Sequence, residues 1–449
     1  MDSRPILPSD HLLTRSIQEI PGVLGLALPI VVGLTSSTLI GVVDTVMIAP
    51  LGTHALAAAG ITTSWLIVMY SALYGLVSMV NIRMAQGVGA GDPETVASNF
   101  RHGRILALGS GVLASLLMIA IFPLSSLLQQ PAGVIEALRP YWMVKSLVLI
   151  PYTITAVFRG LFNAIHRPWI ATAIAMSGVL FNIPLNALLI HGLPGWQGLG
   201  LLGAGLASVL AQLLALGMAW AVWRRSASLA AFRQMVRFSA DKLLQGLREG
   251  TPVALSYSGE GAAYALVGLM LSIFGPVALA AHQVVHTIAA ILYMLPLGMG
   301  VAVGIRIGQA VGGSEWHRVR PIGLGAAAII LSWMGLVTGA LLLWRHPLAE
   351  KLSSDHQVAA IAAAMFLATA FMQVADGLQT TFQGALRGLV DVRVPTVLSL
   401  GANWLIALPA AYGLGVWLGF GPSGVWMGYG LGLFAAALAL KHRFWKQTA

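Results

Sequence analysis

A chain of 449 residues in which 57% are hydrophobic and only 9% are charged cannot present an ordinary water-facing surface, because soluble domains carry roughly 25% charged residues. The absence of cysteine excludes disulfide frameworks, thiolate metal sites and cysteine nucleophiles together. A formal net charge of +10 would suit nucleic acid in a soluble protein, so the basic residues must first be placed on a topology. In chain order, apolar segments bounded by Gly, Pro or charge predict membrane helices at 21–49, 54–80, 103–126, 141–163, 168–191 and 199–223, then at 250–274, 280–305, 321–344, 357–386, 394–416 and 424–441. Continuous rather than alternating apolarity excludes a spanning β-barrel. The first segment is too long for the core of a cleavable signal and is read as a retained helix.

Twelve spans put both termini on one side of the membrane. With that side assigned to the cytoplasm, 21 of the 25 Lys and Arg residues fall in inner segments, and only Arg139, Lys145, Arg345 and Lys351 remain outside. The positive charge therefore faces anionic lipid of the bacterial inner membrane, and no nucleic acid is expected as a partner. The expected organisation is a cytoplasmic N-terminal segment at 1–20, an N-lobe at 21–223, a cytoplasmic linker at 224–249, a C-lobe at 250–441 and a cytoplasmic tail at 442–449.

The two lobes repeat one another. An offset of 223 aligns Pro29 with Pro252, Gly52 with Gly275, Tyr70 with Tyr293, Gly75 with Gly298, Arg83 with Arg306 and Gln86 with Gln309 without a gap. Six spans in each half make this a parallel repeat, an arrangement that places substrate sites near mid-membrane.

Of the 15 carboxylates, only Asp44, Glu260 and Asp376 fall well inside predicted spans. A charge at the bilayer centre costs about 2.5–3.5 kcal/mol on insertion scales, so three idle ones are too expensive to keep. At 1.5 Å per helical residue, Glu260 and Asp376 both lie roughly 15 Å from the inner face and could share a ligand, whereas Asp44 lies roughly 9 Å below the outer surface in the other half. Low dielectric penalises bare carboxylates, so such groups take a proton, a hard cation or an organic cation instead. If drug and ion compete for one negative site, and two membrane-facing states bind them differently, an ion gradient drives the drug outward.

The runs ALPIVVGLTSSTLIGVVDTVMIAPLG, LAAHQVVHTIAAILYMLPLGMGVAVGIRIGQAVGG and ADGLQTTFQGALRGLVDVRVP resemble the multidrug and toxic compound extrusion (MATE) family, most closely its NorM branch, over residues 21 to 441. The resemblance implies an all-α membrane protein, with twelve transmembrane helices in two pseudo-symmetric six-helix bundles forming a V. It also implies exchange of drugs for Na+ or H+. Asp44 matches the family's first-helix Asp, Glu260 the seventh-helix acid, and Asp376 the tenth-helix Asp before Leu386-Arg387-Gly388. Two positions depart from some relatives: Asn186 replaces a second N-lobe Asp, leaving Asn182 as a possible partner of Asp44, and Met372 replaces a Tyr one turn before Asp376.

Beside the acids, Tyr257, Tyr264, Phe371, Met372 and Met294 are candidates for aromatic or cation–π contact with a drug, or for plain helix packing. His282 and Gln283 open the eighth span, as proton relay or structural hydrogen-bonding groups. Arg83 and Arg306 are expected to anchor lipid headgroups or cap helices. GVGAGD at 87–92 lacks the Lys-Ser/Thr of a phosphate loop.

The reading is a secondary active multidrug efflux antiporter, not an enzyme, with no cofactor other than Na+ or H+ as coupling ion. Glu260, Asp376 and Asp44 bind the coupling ion, with Glu260 and Asp376 as the Na+ ligands. Asp44, Glu260, Asp376, Tyr257, Phe371, Met294 and Asn182 contact cationic amphiphilic small molecules. The protein is expected to work as a monomer in lipid. The alternatives are a flippase for lipid-linked saccharides, whose lumen needs positive charge, and a passive cation channel. An intramembrane enzyme would need a nucleophile and base at matching depth.

Overall fold

A computed structural model describes residues 9–128, 131–234 and 236–448, and these are helical almost throughout, with no strand among them. Lipid offers the backbone no hydrogen-bond partners, so a continuous apolar run satisfies its own N–H and C=O groups as helix. The first half holds α1 (Ser9–Ile48), α2 (Thr53–Gly89), α3 (Pro93–Ala120), α4 (Ala132–Ser146), α5 (Leu149–Ala164), α6 (Pro168–Asn186) and α7 (Gly200–Arg225). The second holds α8 (Ala240–Ser272), α9 (Pro276–Gly312), α10 (Trp316–Leu352), α11 (His356–Gly388), α12 (Arg393–Gly401), α13 (Leu408–Tyr412) and α14 (Gly421–Thr448).

Two of the spans are broken helices. α4 and α5 together form one span, and so do α12 and α13, which are joined by the π-helical turn Ala402–Ala407. The described helices thus give the expected twelve spans, of which eleven are apolar enough to be recognised by composition alone. The exception is α8, whose 33 residues include Ser256, Tyr257, Ser258, Glu260 and Tyr264. α8 also begins at Ala240, inside the stretch expected to be linker.

The repeat is written into the backbone as well as the sequence. Gly52 (φ 98°, ψ 177°) and Gly275 (φ 89°, ψ 177°) open α2 and α9 in the same conformation. Gly91 (φ 64°) and Ser314 (φ 60°) are left-handed at equivalent turns, where Asp92 N–H donates to the Gly87 carbonyl (3.0 Å) and Glu315 N–H to that of Ala310 (2.7 Å). His166 (φ 58°) and Val390 (φ 61°) form a further pair. A β-branched side chain is poorly tolerated there, so Val390→Gly is expected to stabilise the protein by about 1 kcal/mol. Thermal unfolding in detergent reads this directly, and a lowered Tm would show that Val390 packing outweighs the backbone strain.

By packing, the chain divides into two compact units. One is Val32–Ala254, and the other joins Met1–Val31 to Leu255–Ala449. The changes of unit fall inside α1 and α8, each two residues after a repeat-equivalent proline, Pro29 and Pro252.

The Val32–Ala254 unit closes around Leu66, Met118, Leu138, Tyr141, Trp142 and Leu149, with Trp142 Nε1–H donating to the Met118 carbonyl (2.7 Å). The Leu255–Ala449 unit closes around Val285, Met365, Phe366, Trp426 and Leu433. There α9 and α11 meet through glycines: a Cβ on Gly384 would stand 2.0 Å from the Gly300 carbonyl oxygen, and one on Gly388 would stand 2.7 Å from that of Gly304. Small residues four apart on both helices let the backbones touch.

The repeat arginines are not left to lipid or to helix ends. Arg83 forms an ion pair with Glu249 and donates to Gln86, while Arg306 (2.7 Å) and Arg318 (2.6 Å) both hold Glu19. The expectation of headgroup anchoring or capping is corrected accordingly: a carboxylate within reach satisfies the guanidinium in a fixed geometry that a mobile headgroup does not supply.

Candidate functional site

The Leu255–Ala449 unit holds two of the three intramembrane acids. Ser256, Glu260 and Tyr264 follow one another at four-residue spacing and so share a face of α8. Asp376 and Gln383, seven residues apart, share a face of α11. Gln383 links the two faces: its Nε2 donates to Glu260 Oε1 (2.7 Å) and to Ser399 Oγ of α12 (2.9 Å). Ser256 Oγ donates to the same Glu260 oxygen (3.0 Å). Behind Gln383, Arg387 Nη2 donates to Gln383 Oε1 (2.9 Å) and Nη1 to the Tyr257 hydroxyl (2.7 Å), with the guanidinium 4.6 Å from the Tyr257 ring centre.

Asp376 is half-buried and within electrostatic range of Glu260, Tyr264, Tyr293 and Tyr429. Among the described residues, none forms an ion pair or a side-chain hydrogen bond with its carboxylate, a costly condition for a charge in low dielectric. Two carboxylates, two serine hydroxyls and nearby phenols make a donor set of oxygens, the chemistry a hard monovalent cation or a proton takes. The three tyrosines within electrostatic range of Asp376 lie on α8, α9 and α14. Met372 itself is buried, and Gly430 of α14 packs against it.

Toward the C-terminal end of α8 from this group, Tyr264 OH pairs with His286 Nδ1 (2.8 Å), and the His282 and His286 rings stack at 5.9 Å. Met294 lies beside Tyr293 on α9 and is half-buried. Phe371 is 63% exposed, and five residues of helix turn it well away from the Asp376 face. It is therefore not part of this polar cluster.

Asp44 lies in the Val32–Ala254 unit in a different setting. Its Oδ2 accepts from Lys145 Nζ (2.6 Å) and Ser208 Oγ (3.0 Å), and its Oδ1 from Asn186 Nδ2 (2.7 Å). Asp44 and Lys145 are each 6% exposed. Two expectations are corrected here. Lys145, counted with the outer segments, is buried inside the bundle, so Asp44 has a full counter-charge. The direct amide partner is Asn186, and Asn182 is one hydrogen bond further back, accepting from Asn186 Nδ2 (3.0 Å). Lys145 neutralises Asp44 because an uncompensated charge is costly in that interior, and the attraction between the two repays part of the desolvation each has undergone.

Sequence reasoning passed over Gln383, Ser256, Ser399 and Arg387. The signal was present: a Gln and an Arg seven and eleven residues after an intramembrane Asp fall on that Asp's own helix face. No group of three or more His, Asp or Glu able to hold a metal ion occurs among the described residues.

The MatE family profile matches residues 29–188 and 252–413, one match in each repeat. A protein of Bradyrhizobium diazoefficiens named probable multidrug resistance protein NorM is 32% identical over 98% of this chain and 95% of its own length. One of the same name in Deinococcus radiodurans is 31% identical over 98% of both. Among solved structures, an outward-facing multidrug resistance MATE family transporter superposes with a TM-score of 0.87 at 20% identity, covering 97% of each chain. The Vibrio cholerae MATE transporter VcmN in its bent form gives 0.86 at 20% identity, over 97% of this chain and 98% of that one. At such identities these likenesses show the fold alone.

Proposed function

This chain belongs to the MatE family of multidrug efflux transporters, and from that premise we propose that it exports organic cations by exchange for Na+ or H+ bound at Glu260 and Asp376. The observation that carries the proposal is Asp376: a half-buried carboxylate beside a second one, with no cation paired to it among the described residues. A negative site in low dielectric binds whichever positive species reaches it, and binding of one excludes the other. The surrounding tyrosines offer π faces to an organic cation and phenolic oxygens to a small one. Export then needs only that the two membrane-facing states differ in affinity for the two cations. The asymmetry of Lys and Arg supports cytoplasmic termini in the inner membrane.

The test is movement of a cationic dye in proteoliposomes under a Na+ gradient alone, then a pH gradient alone. Uphill dye movement that reverses with the direction of one gradient is expected. Dye flux that only runs downhill, whatever the ion gradient, would replace the antiporter with a channel.

A further inference from the structure

The buried pair in the Val32–Ala254 unit has a consequence for which cation the transporter admits. Lys145 Nζ touches Asp44 Oδ2 (2.6 Å) and Ser208 Oγ (2.6 Å), so in this structure the carboxylate already holds an ammonium group. Around that pair the hydrogen bonding is incomplete. Asn182 and Asn186 are fully buried, yet Asn182 Nδ2 and Asn186 Oδ1 have no partner, leaving one free donor and one free acceptor beside Asp44. Buried polar atoms in that condition mark a place where a ligand group or a water completes the set. The ammonium already has a second support: its nitrogen lies 5.7 Å from the Tyr141 ring centre, with Tyr70 within electrostatic range, and this π face stays with it when the carboxylate contact is lost. A lysine's flexible four-carbon stem can carry a point charge between a carboxylate and a π face without moving the helix.

We propose that Lys145 is a tethered competitor for Asp44: an organic cation bearing a hydrogen-bonding group displaces its ammonium, and the small coupling ion does not. The proposal rests on the organic-cation reading above. A proton or Na+ arriving at an already neutral pair would add an uncompensated charge in low dielectric. An amphiphile brings apolar area and extra hydrogen bonds to Asn182 and Asn186 that offset the cost of moving Lys145. The N-terminal acid thus discriminates organic cations from the coupling ion, and the exchange of the two stays at Glu260 and Asp376.

The test is binding of a cationic dye to the purified, folded protein. Lys145→Met removes the competitor and is expected to tighten dye binding by about tenfold or more. The gain should vanish in Asp44→Asn/Lys145→Met, which removes both charges. Binding no tighter in Lys145→Met than in the unsubstituted protein overturns the proposal. Should the lone carboxylate prevent folding, the unsubstituted protein decides. Labelling of Lys145 by a small amine-reactive reagent is compared with that of Lys242, Lys351, Lys441 and Lys446 by mass spectrometry, and saturating dye is expected to raise it selectively. Labelling that dye leaves unchanged overturns the displacement. Both readouts are independent of ion-driven transport, so loss of the antiport reading itself would appear separately, as efflux surviving in Asp376→Asn.

Discussion

Asp376→Asn is expected to abolish ion-driven export of a cationic dye, lowering it by about 100-fold or more, with Glu260→Gln close behind. Asparagine keeps the volume and most of the polarity of the side chain, so α11 is not asked to repack. What it lacks is the negative charge. A cation entering that pocket would then face Glu260 alone, and losing the nearer of two carboxylates takes from the bound state much of the about 3–5 kcal/mol that breaking a buried ion pair costs. Glu260 differs in being already supported by Gln383 and Ser256, and the amide oxygen of Glu260→Gln still accepts from both, so the charge is what that substitution removes. Efflux from vesicles under the gradient found to drive the unsubstituted protein is the measurement, with monodisperse protein in detergent as the control for folding. Full efflux in both variants would remove the C-terminal acids from the mechanism.

A second large effect is structural. Gly384→Ala is expected to destabilise the protein by about 3 kcal/mol, because inserted atoms in a packed interior strain their surroundings and no flexible side chain is available here to yield. The added Cβ would lie 2.0 Å from the Gly300 carbonyl oxygen and 2.7 Å from the Gly300 Cα, both backbone. α9 and α11 would have to separate, and with them Gln383 next along the helix and the α9 face carrying Tyr293. Gly335→Ala on α10 is the control, since nothing stands within 4 Å of a Cβ at that position. A fall in Tm for Gly384→Ala matched by an equal fall for Gly335→Ala would show that the α9–α11 contact is not what the substitution breaks.

Much of this architecture is legible in the sequence. The spans, the repeat and the three acids follow from local rules: an apolar run in lipid has to be helix, and a duplicated run of residues folds twice in the same way. Equivalent left-handed residues at Gly91 and Ser314 bear that out at the level of single dihedrals. α8 shows the limit of composition, because the polar residues that serve the candidate site are what lower its apolar signal.

By itself, then, the order of residues determined where helices run, that there are two matching halves, and that three carboxylates sit within membrane-spanning helices. Only the tertiary structure decided how those carboxylates are partnered. Lys145 and Asp44 are 101 positions apart, and Gln383 and Glu260 are 123 apart. Helix formation depends on neighbours within four residues, but contact across such distances depends on how each helix is rotated and how closely the backbones approach. That is set by packing over the whole unit, at sites such as Gly300 against Gly384. The result is one acid with a lysine in direct contact and two that, among the described residues, form no ion pair.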